Sequence, residues 1–483
     1  MQARDRRLHA IAAARDLGDV RLLARVITAF DVPTLWTSRE YGSYDREIID
    51  AAEDALHRLP DGADELRVRL LTSLAIELEG DFDDRGVTAA DEAVALARAL
   101  DRPALLAVAL NGRYINGYRS AGDRALRRRL ARELLDLATE HDLGAYRVLA
   151  HLQLQQTAVS ELDLAAATAH LADGSRLADQ YGLPLLAQIA SWYDGLVHVL
   201  AARFDEAERA YVKVSENIGR TGIWSSEDGI VGFGAFCLRL VRGRPGELLD
   251  RAAWLSRRWS HVAATADIHA LALADVGRVA EARAAVAAAG PIRPDYFFDL
   301  ATAVRAHRAI TLDQRDVAED AYTALLPYED HFTGGCTTFA TIGPVAQVLG
   351  DLAVFLGRPA ADAAAHYRPR RPHRRCPRRA ALVPPRPRGR GGAGKPRRLT
   401  DGRSAAEVGG QAAAFAGGCG GVAPPHSDSP DRRPERSGGR RAGGRLCGGC
   451  GGAPPTVIRL TDGRSDRSRV VRVDGARRRW GTI

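Results

Sequence analysis

The residues best suited to chemistry are three carboxylates in the run Asp81-Phe82-Asp83-Asp84. Closely spaced carboxylate oxygens bind Mg²⁺, and a bound Mg²⁺ neutralises the phosphate groups of a substrate. The run follows Glu79-Gly80, a pair typical of a turn between two helices. A solvated loop explains the same residues, and we favour that interpretation.

An all-α, magnesium-dependent enzyme is the catalytic alternative for the Asp81–Asp84 cluster. All-α terpene synthases hold Mg²⁺ with an aspartate-rich motif, and they carry a second motif of Asn, Ser and Glu downstream. No such second motif follows in this sequence. We therefore predict that the protein is not an enzyme, and we assign it no catalytic residue, metal ligand or cofactor.

Cysteines of the C-terminal region have metal-binding spacing at one place only. Cys447-Gly-Gly-Cys450 separates two thiols by two residues, and Cys419 and His426 lie upstream. A zinc site needs four ligands in a defined loop. One cysteine pair in a glycine-rich run does not supply them, so we expect no zinc site here.

Nucleotide-binding motifs are absent from the sequence. A phosphate-binding loop requires Gly-Lys-Ser/Thr, and neither Lys213 nor Lys395 lies in that setting. Gly229, Gly232 and Gly234 do not form the dinucleotide fingerprint, since the motif is incomplete and no strand precedes it. We expect these glycines to let helices approach closely.

Two further clusters are interpreted as structural. Tryptophans at helical spacing are expected to pack in the core rather than to form a partner-binding hot spot; they are Trp192, Trp224, Trp254 and Trp259. Arg127-Arg128-Arg129 lies near Glu133 and is expected on a solvated helix face.

The elements that carry these residues recur about every forty positions. In each unit, an apolar residue and a turn precede a helix that begins with acidic residues, as in Leu200–Ala207. Arginines mark successive turns, namely Arg203, Arg244, Arg278, Arg315 and Arg358. Asp81, Asp123 and Asp163 continue the spacing upstream.

Each unit is predicted to form two helices. Apolar residues fall on one helical stripe in Leu185–Val199 and again in Phe204–Val214. No alternating strand pattern of useful length appears before residue 367. The sequence therefore predicts an all-α fold.

The units of residues 160–367 resemble tetratricopeptide (TPR) repeats. That motif places a small residue in the first helix, another in the second and an aromatic four positions later, as Gly195, Ala207 and Tyr211 do. Small residues suit these positions because the helices cross closely. We predict a right-handed α-solenoid of about eight TPR-like helix pairs, with degenerate repeats over residues 1–159 continuous with those of 160–367.

Charge changes sharply after residue 367. Residues 368–483 hold 28 Lys/Arg and 8 Asp/Glu, whereas the preceding residues hold 40 basic and 52 acidic side chains. The same 116 residues contain 22 of the 48 glycines and 13 of the 23 prolines. Such a composition cannot form a packed core, so we predict a disordered, low-complexity basic tail.

Two interpretations of the tail stay open. A basic arm would bind nucleic acid by releasing counterions from the phosphate backbone. A frameshift in a GC-rich gene would also produce Arg, Gly, Pro and Ala in this proportion. We favour the frameshift, because the helical repeat stops abruptly and no aromatic residues lie among the arginines.

Extended segments resemble the C-terminal helical-repeat region of AfsR/SARP-type bacterial transcriptional regulators, and the large ATP-binding LuxR-type regulators are similar. They are Tyr181–Tyr193, Phe204–Glu208 and Phe332–Arg358. The resemblance implies a sensor and protein-interaction module. The family's DNA-binding and ATPase modules find no counterpart in this sequence, so we expect only indirect contact with DNA. Because Met1 opens directly in a helix, we also expect a piece of a longer regulator.

No apolar stretch approaches the length of a membrane span, and no secretory signal opens the chain. Only Cys237 and Cys336 lie in the helical part, which fits a reducing compartment. We predict a cytoplasmic, non-catalytic scaffold whose groove binds a protein partner or an effector, without a membrane.

Overall fold

The computed structural model describes residues 2–30, 32–37, 39–182, 185–218, 230–368, 457–460 and 469–472. The chain divides into two units, residues Met1–Ala412 and Ala413–Ile483. Helices and no strands lie among the described residues of the first unit, as the sequence predicts, and long loops join some of these helices. None of its described helices is long and apolar enough to cross a membrane.

The described helices, numbered along the chain, are α1 (Gln2–Asp16), α2 (Val20–Ile27), α3 (Arg46–Arg58), α4 (Asp64–Glu77), α5 (Arg85–Ala99), α6 (Pro103–Ile115), α7 (Arg124–Glu140), α8 (Gly144–Ser160), α9 (Leu164–Tyr181), α10 (Leu185–Leu200), α11 (Phe204–Ile218), α12 (Ile230–Val241), α13 (Leu249–Arg258), α14 (Ala263–Asp275), α15 (Val279–Ala285), α16 (Phe298–Thr311), α17 (Arg315–Leu325), α18 (Val345–Phe355) and α19 (Ala360–His366). Short 3₁₀ helices lie at Thr28–Phe30, Asn116–Tyr118, Ala121–Asp123, Pro245–Leu248 and Leu326–Tyr328. Helices that follow each other in the chain pack together, most extensively α8 with α9, α4 with α5, α7 with α8 and α10 with α11.

Helices begin where local signals predict. Helix α6 starts at Pro103, whose missing N–H costs nothing in a first turn. Asp163 caps α9, because its side chain accepts a hydrogen bond of 3.0 Å from the backbone N–H of Ala166. Pro184, the corresponding proline before α10, lies outside the described residues.

The arginine-marked turns share one hydrogen-bonding pattern. After α10, Ala202 takes a left-handed conformation (φ 55°), and the N–H of Arg203 donates to the carbonyl of His198 at 2.9 Å. The same bond closes the turns at Arg244, Arg278 and Arg358, each of which follows a left-handed glycine. This is the Schellman arrangement that satisfies free carbonyls at a helix end. At the fourth turn Gln314, one position before Arg315, makes the bond.

The predicted apolar stripes are buried wherever the structure describes their side chains, apart from the half-buried Phe204. The buried members are Trp192, Leu196 and Val199 on α10, and Ala207, Tyr211 and Val214 on α11. At Gly195 a side-chain Cβ would lie 2.6 Å from Cε1 of Tyr211, closer than carbon atoms pack. The expected close crossing of α10 and α11 is therefore confirmed, and glycine permits it.

The second unit contains a short antiparallel strand pair that the sequence analysis did not predict. Strand β1 (Val457–Leu460) pairs with β2 (Arg469–Arg472), and Val457 lies opposite Arg472. The rest of the predicted disordered tail, from residue 369 onward, lies outside the described residues.

Candidate functional site

The Asp81–Asp84 cluster lies in the turn between α4 and α5, where arginines contact its carboxylates. Nε of Arg85 lies 2.7 Å from Oδ2 of Asp83, and Nη2 of Arg85 lies 3.2 Å from Oδ2 of Asp81. Arg119 donates to Oδ1 of Asp84 at 3.1 Å. The Asp83 and Asp84 side chains are 49% and 85% exposed. This geometry is that of a solvated, ion-paired turn.

Within the described ranges, no group of three or more His, Cys, Asp or Glu residues is placed to hold a metal ion. Cys419, His426, Cys447 and Cys450 lie outside the described residues.

The tryptophans divide between core and surface. Trp192 and Trp259 are buried, with exposed fractions of 4% and 5%, as predicted for core residues. Trp254 is 38% exposed, so its assignment to the core was wrong. It lies on α13, whose buried residues are Ala252 and Leu255. Trp224 lies outside the described residues.

Glycines near the start of α12 contact neighbouring elements. A Cβ at Gly234 would lie 3.2 Å from the Phe339 ring, and one at Gly232 would lie 3.3 Å from the Arg251 guanidinium. The expected close approach of helices is confirmed at Gly232, whose neighbour Arg251 lies on α13. At Gly234 the close neighbour is instead a residue of the segment between α17 and α18. Gly229 lies outside the described residues.

The run Arg127-Arg128-Arg129 is not a uniformly solvated face. Arg127 is 3% exposed and lies inside the protein, which corrects the prediction for this residue. Arg129 is exposed, as predicted. Arg128 is half-exposed and pairs with Glu161 at 2.8 Å, whereas Glu133 pairs with Arg98. A local charge run does not reveal that one of its members turns inward.

Three loops meet inside the helical unit, and we call them the central loops. They are residues 32–45 between α2 and α3, 286–297 between α15 and α16, and 329–344 between α17 and α18. The ring centroid of Phe297, in the second loop, lies 5.1 Å from that of Tyr41 in the first. It lies 5.8 Å from that of Phe339 in the third. Phe297 thus joins all three loops.

The first two central loops are fixed to the end of α4 by arginines. Nη2 of Arg39 donates to the backbone carbonyl of Glu79 at 2.6 Å, and Nη2 of Arg293 donates to the same oxygen at 2.7 Å. The guanidinium of Arg293 also lies over the Tyr44 ring, 4.5 Å from its centroid. At Gly80 (φ 73°) a Cβ would lie 2.6 Å from Nη2 of Arg293, so glycine makes room for this contact.

Two buried carboxylates accompany these arginines. Oε2 of Glu79 lies 3.3 Å from Arg39, and burial raises the pKa of Glu79 to about 7, with Asp295 adding to the shift. Burial also raises the pKa of Asp295, although Arg293 at 3.4 Å opposes the change. Removal from water disfavours a charged carboxylate unless cations compensate. Both carboxyl groups therefore take up a proton at a higher pH than surface carboxylates do.

The third central loop is held by buried polar contacts. Asp299, at the start of α16, accepts a hydrogen bond of 3.0 Å from the N–H of Gly334. Burial raises the pKa of Asp299 to about 6, and this hydrogen bond opposes the shift. At Gly334 (φ 72°) a Cβ would overlap the carbonyl of Ala340, so only glycine fits. On α11, the Tyr211 hydroxyl donates to the carbonyl of Phe339 at 2.5 Å.

Arg127 extends this network from α7. Its Nη1 donates to the Gly117 carbonyl at 2.9 Å, and its Nη2 lies 3.3 Å from the Cys336 sulfur in the third central loop. The guanidinium also lies over the Tyr118 ring, 4.5 Å from its centroid. No carboxylate forms an ion pair with Arg127 in the part of the chain that the structure describes. Carbonyl, thiol and ring contacts stabilise this buried cation instead.

The arrangement forms an interior of aromatic and titratable side chains that pack against one another. Sequence reasoning missed the central loops, because their partners lie far away in the chain. The one signal was the run Phe332–Pro344, whose four threonines and three glycines are unusual between helices.

Comparison with known proteins does not assign the chain to a family. No known family model matches its sequence, and no curated protein is similar enough in sequence to match.

Proposed function

We propose that the helical unit is a non-catalytic scaffold and sensor that binds a protein partner or an effector in the control of transcription. Its helices would wind as a right-handed α-solenoid of TPR-like pairs with the binding groove on the inner face. The resemblance to AfsR/SARP-type regulators motivates the role in transcription. Contact with DNA would be indirect, through DNA-binding domains that are missing from this sequence or separate from it.

The recurring helix turns support the repeat architecture. The same backbone hydrogen bond closes the turns at Arg203, Arg244, Arg278 and Arg358. The close contact of Gly195 with Tyr211 matches the small–aromatic pairing of TPR-like helices. Stacked units of this kind present an extended surface to partners.

The observation that carries the sensor role is the position of the third central loop. It contacts Arg127 on α7, Ser160 on α8, Tyr211 on α11 and Asp299 on α16. A single loop therefore touches helices from widely separated units. A ligand that binds one state of this packing better than another would shift all of these helices together.

A cytoplasmic location belongs to the same proposal. Cys237 and Cys336 are free thiols. Free thiols are stable where glutathione and thioredoxin keep cysteines reduced.

Chromatin immunoprecipitation tests the proposed function. The tagged full-length chain and a version that ends at Tyr367 are each expressed, crosslinked to their partners and recovered. We expect both versions to enrich the same promoter regions, since the helical unit carries the interaction. Omitting the protein–protein crosslinker should remove the enrichment, because the contact with DNA is indirect.

Two outcomes would contradict the proposal. If only the full-length chain enriches DNA, and does so without sequence preference, the basic tail binds nucleic acid directly. If neither version enriches any promoter, the role in transcription is wrong. The tagged Gly334→Val variant, in which the side chain would overlap the Ala340 carbonyl, serves as the matched control with a displaced third central loop.

A further inference from the structure

Two histidines face each other between α8 and α9, and we call them the histidine pair. His151 lies on α8 and His170 on α9, and their Nδ1 atoms are 3.3 Å apart. Both side chains are half-buried, so solvent reaches them. The two helices pack extensively against each other. The pair is therefore held by two rigid elements, which position ligands more precisely than loops do.

The spacing of the two nitrogens suits a metal ion. Zn–N bonds in tetrahedral sites are about 2.0–2.1 Å long, so two imidazole nitrogens on one ion lie about 3.3 Å apart. The same geometry would place the ring centroids about 5 Å apart. The centroids of His151 and His170 are 5.5 Å apart, and the rings are tilted by 52° to each other. A small rotation of the rings would therefore direct both lone pairs at one ion.

A hydrogen bond between the rings is compatible with this arrangement. One Nδ1 donates and the other accepts, depending on the tautomers. If the donating ring carries its proton on Nε2 instead, both Nδ1 lone pairs become available, and no proton is released overall. The hydrogen bond thus keeps the two nitrogens where a metal ion requires them.

Protons compete little for these nitrogens at neutral pH. Burial lowers the pKa of His151, and the neighbouring His170 lowers it further. Burial also lowers the pKa of His170. Both rings are therefore neutral at pH 7, and neutral imidazole is the form that binds metal ions.

Charged side chains from three helices influence the pair. They are Arg132 on α7, Arg147 on α8, Asp173 and Arg176 on α9, and Asp163 at the start of α9. The three arginines oppose a cation and the two aspartates favour it, although Asp173 is itself paired with Arg176 at 2.7 Å. Ca²⁺ and Mg²⁺ need several oxygen ligands and would gain little here. An ion that bonds strongly to imidazole nitrogen fits better.

We propose that His151 and His170 bind one late transition-metal ion, such as Zn²⁺, through their Nδ1 atoms. The described residues provide no group of three metal-ligating side chains, so water would complete the coordination. The ion would join α8 to α9 and stabilise the folded protein, because the unfolded chain does not hold the two rings together. The site does not depend on the proposed function.

The test is isothermal titration calorimetry of the full-length chain with zinc chloride at pH 7. We expect the parent to bind one more Zn²⁺ than His151→Gln or His170→Gln, since glutamine keeps a polar side chain but removes the imidazole ligand. His57→Gln, on the exposed side of α3, is the matched control and should bind as many ions as the parent. The cysteines are the same in all four proteins, so any Zn²⁺ that they bind is common to all.

Repeating the titration at pH 6 distinguishes the pair from exposed histidines. Two ordinary imidazoles, with a pKa of about 6.5, would lose about tenfold in affinity between pH 7 and pH 6 through protonation. Because the pKa of both rings is lowered, the loss at the histidine pair should be smaller than this. A loss of tenfold or more would contradict the assignment to the histidine pair.

The inference is overturned if the parent and both glutamine variants bind the same number of Zn²⁺ ions with equal affinity. It is also overturned if His57→Gln loses an ion as they do. Circular dichroism establishes that each variant is folded, and if one glutamine variant does not fold, the other decides. Promoter enrichment by a chain that binds no Zn²⁺ at the pair would leave the proposed function intact.

Discussion

The guanidinium of Arg127 lies 3.3 Å from the sulfur of Cys336, although 209 positions separate the two residues in the chain. The contact joins α7 to the third central loop. A planar guanidinium reaches the Gly117 carbonyl and the thiol at once and also stacks on Tyr118. Arginine, rather than any cation, is what this position requires.

Substituting Arg127 by lysine tests that requirement. A single ammonium group cannot make both hydrogen bonds and the stacking contact, so Arg127→Lys should lower the free energy of unfolding by about 2 kcal/mol. Urea denaturation measures the change. Arg129→Lys, on the exposed side of the same helix, should stay within about 0.5 kcal/mol of the parent. Equal effects of the two substitutions would show that the position does not require the guanidinium of Arg127.

Asp299 should make stability depend on pH. Its pKa is raised to about 6, so the folded protein retains a proton that the unfolded chain has already lost. The free energy of unfolding should therefore fall as pH rises from about 4 to about 6, with a total change of about 3 kcal/mol. Asp299→Asn should remove this part of the dependence and be more stable than the parent at pH 7.

Urea denaturation at several pH values between 4 and 7 measures the effect of Asp299. The exposed Asp316 provides the control, since Asp316→Asn should keep the parent's pH dependence. A parent whose stability rises steadily from pH 4 to pH 6 would refute the prediction. Glu79, whose pKa is raised to about 7, should add a further fall between about pH 4.5 and pH 7 in the parent and in both variants.

Gly195 should not tolerate a side chain. A Cβ would lie 2.6 Å from the Tyr211 ring, so Gly195→Ala should destabilise the protein by about 1–3 kcal/mol. Gly290→Ala, where a Cβ would meet nothing within 4 Å, should change stability by less than about 1 kcal/mol. In a Tyr211→Ala background the cost of Gly195→Ala should shrink. Strict additivity of the two substitutions would contradict the proposed overlap.

The Asp81–Asp84 turn should not bind magnesium diphosphate. Its carboxylates are engaged by Arg85 and Arg119, and displacing these exposed pairs would offer no ordered ligand set. A thermal-shift series with Mg²⁺ and diphosphate should leave Tm unchanged in the parent and in Asp83→Ala. A rise in Tm that Asp83→Ala abolishes would instead support the enzyme alternative.

Local features of this fold could be predicted from the sequence. The stripe through Trp192 and Leu196 depends on residues within one or two turns of helix, and the contact of Gly195 with Tyr211 joins two helices that follow each other in the chain. Periodicity, capping and small-residue spacing act over the same short range. The sequence therefore predicts the helices and the packing of a helix against the next one in the chain.

The interior could not be predicted in this way. Arg127 and Arg129 are alike in a charge run, and the buried one is distinguished by its contacts with Gly117, Tyr118 and the distant Cys336. Arg39 and Arg293 meet at the carbonyl of Glu79 because three separate parts of the chain converge there. Neither the composition of a single segment nor the spacing of its residues predicts a contact between such distant parts of the chain.

The contact of Arg293 with Glu79 joins residues 214 positions apart in the chain, and it affects how the helical unit unfolds. In an array whose units contact only their neighbours, helices can detach one by one from either end. Here the N-terminal helices are tied through the central loops to α16 and beyond. These helices cannot unfold without exposing the buried aromatic interior. The helical unit should therefore unfold in one cooperative transition, rather than helix by helix from α1.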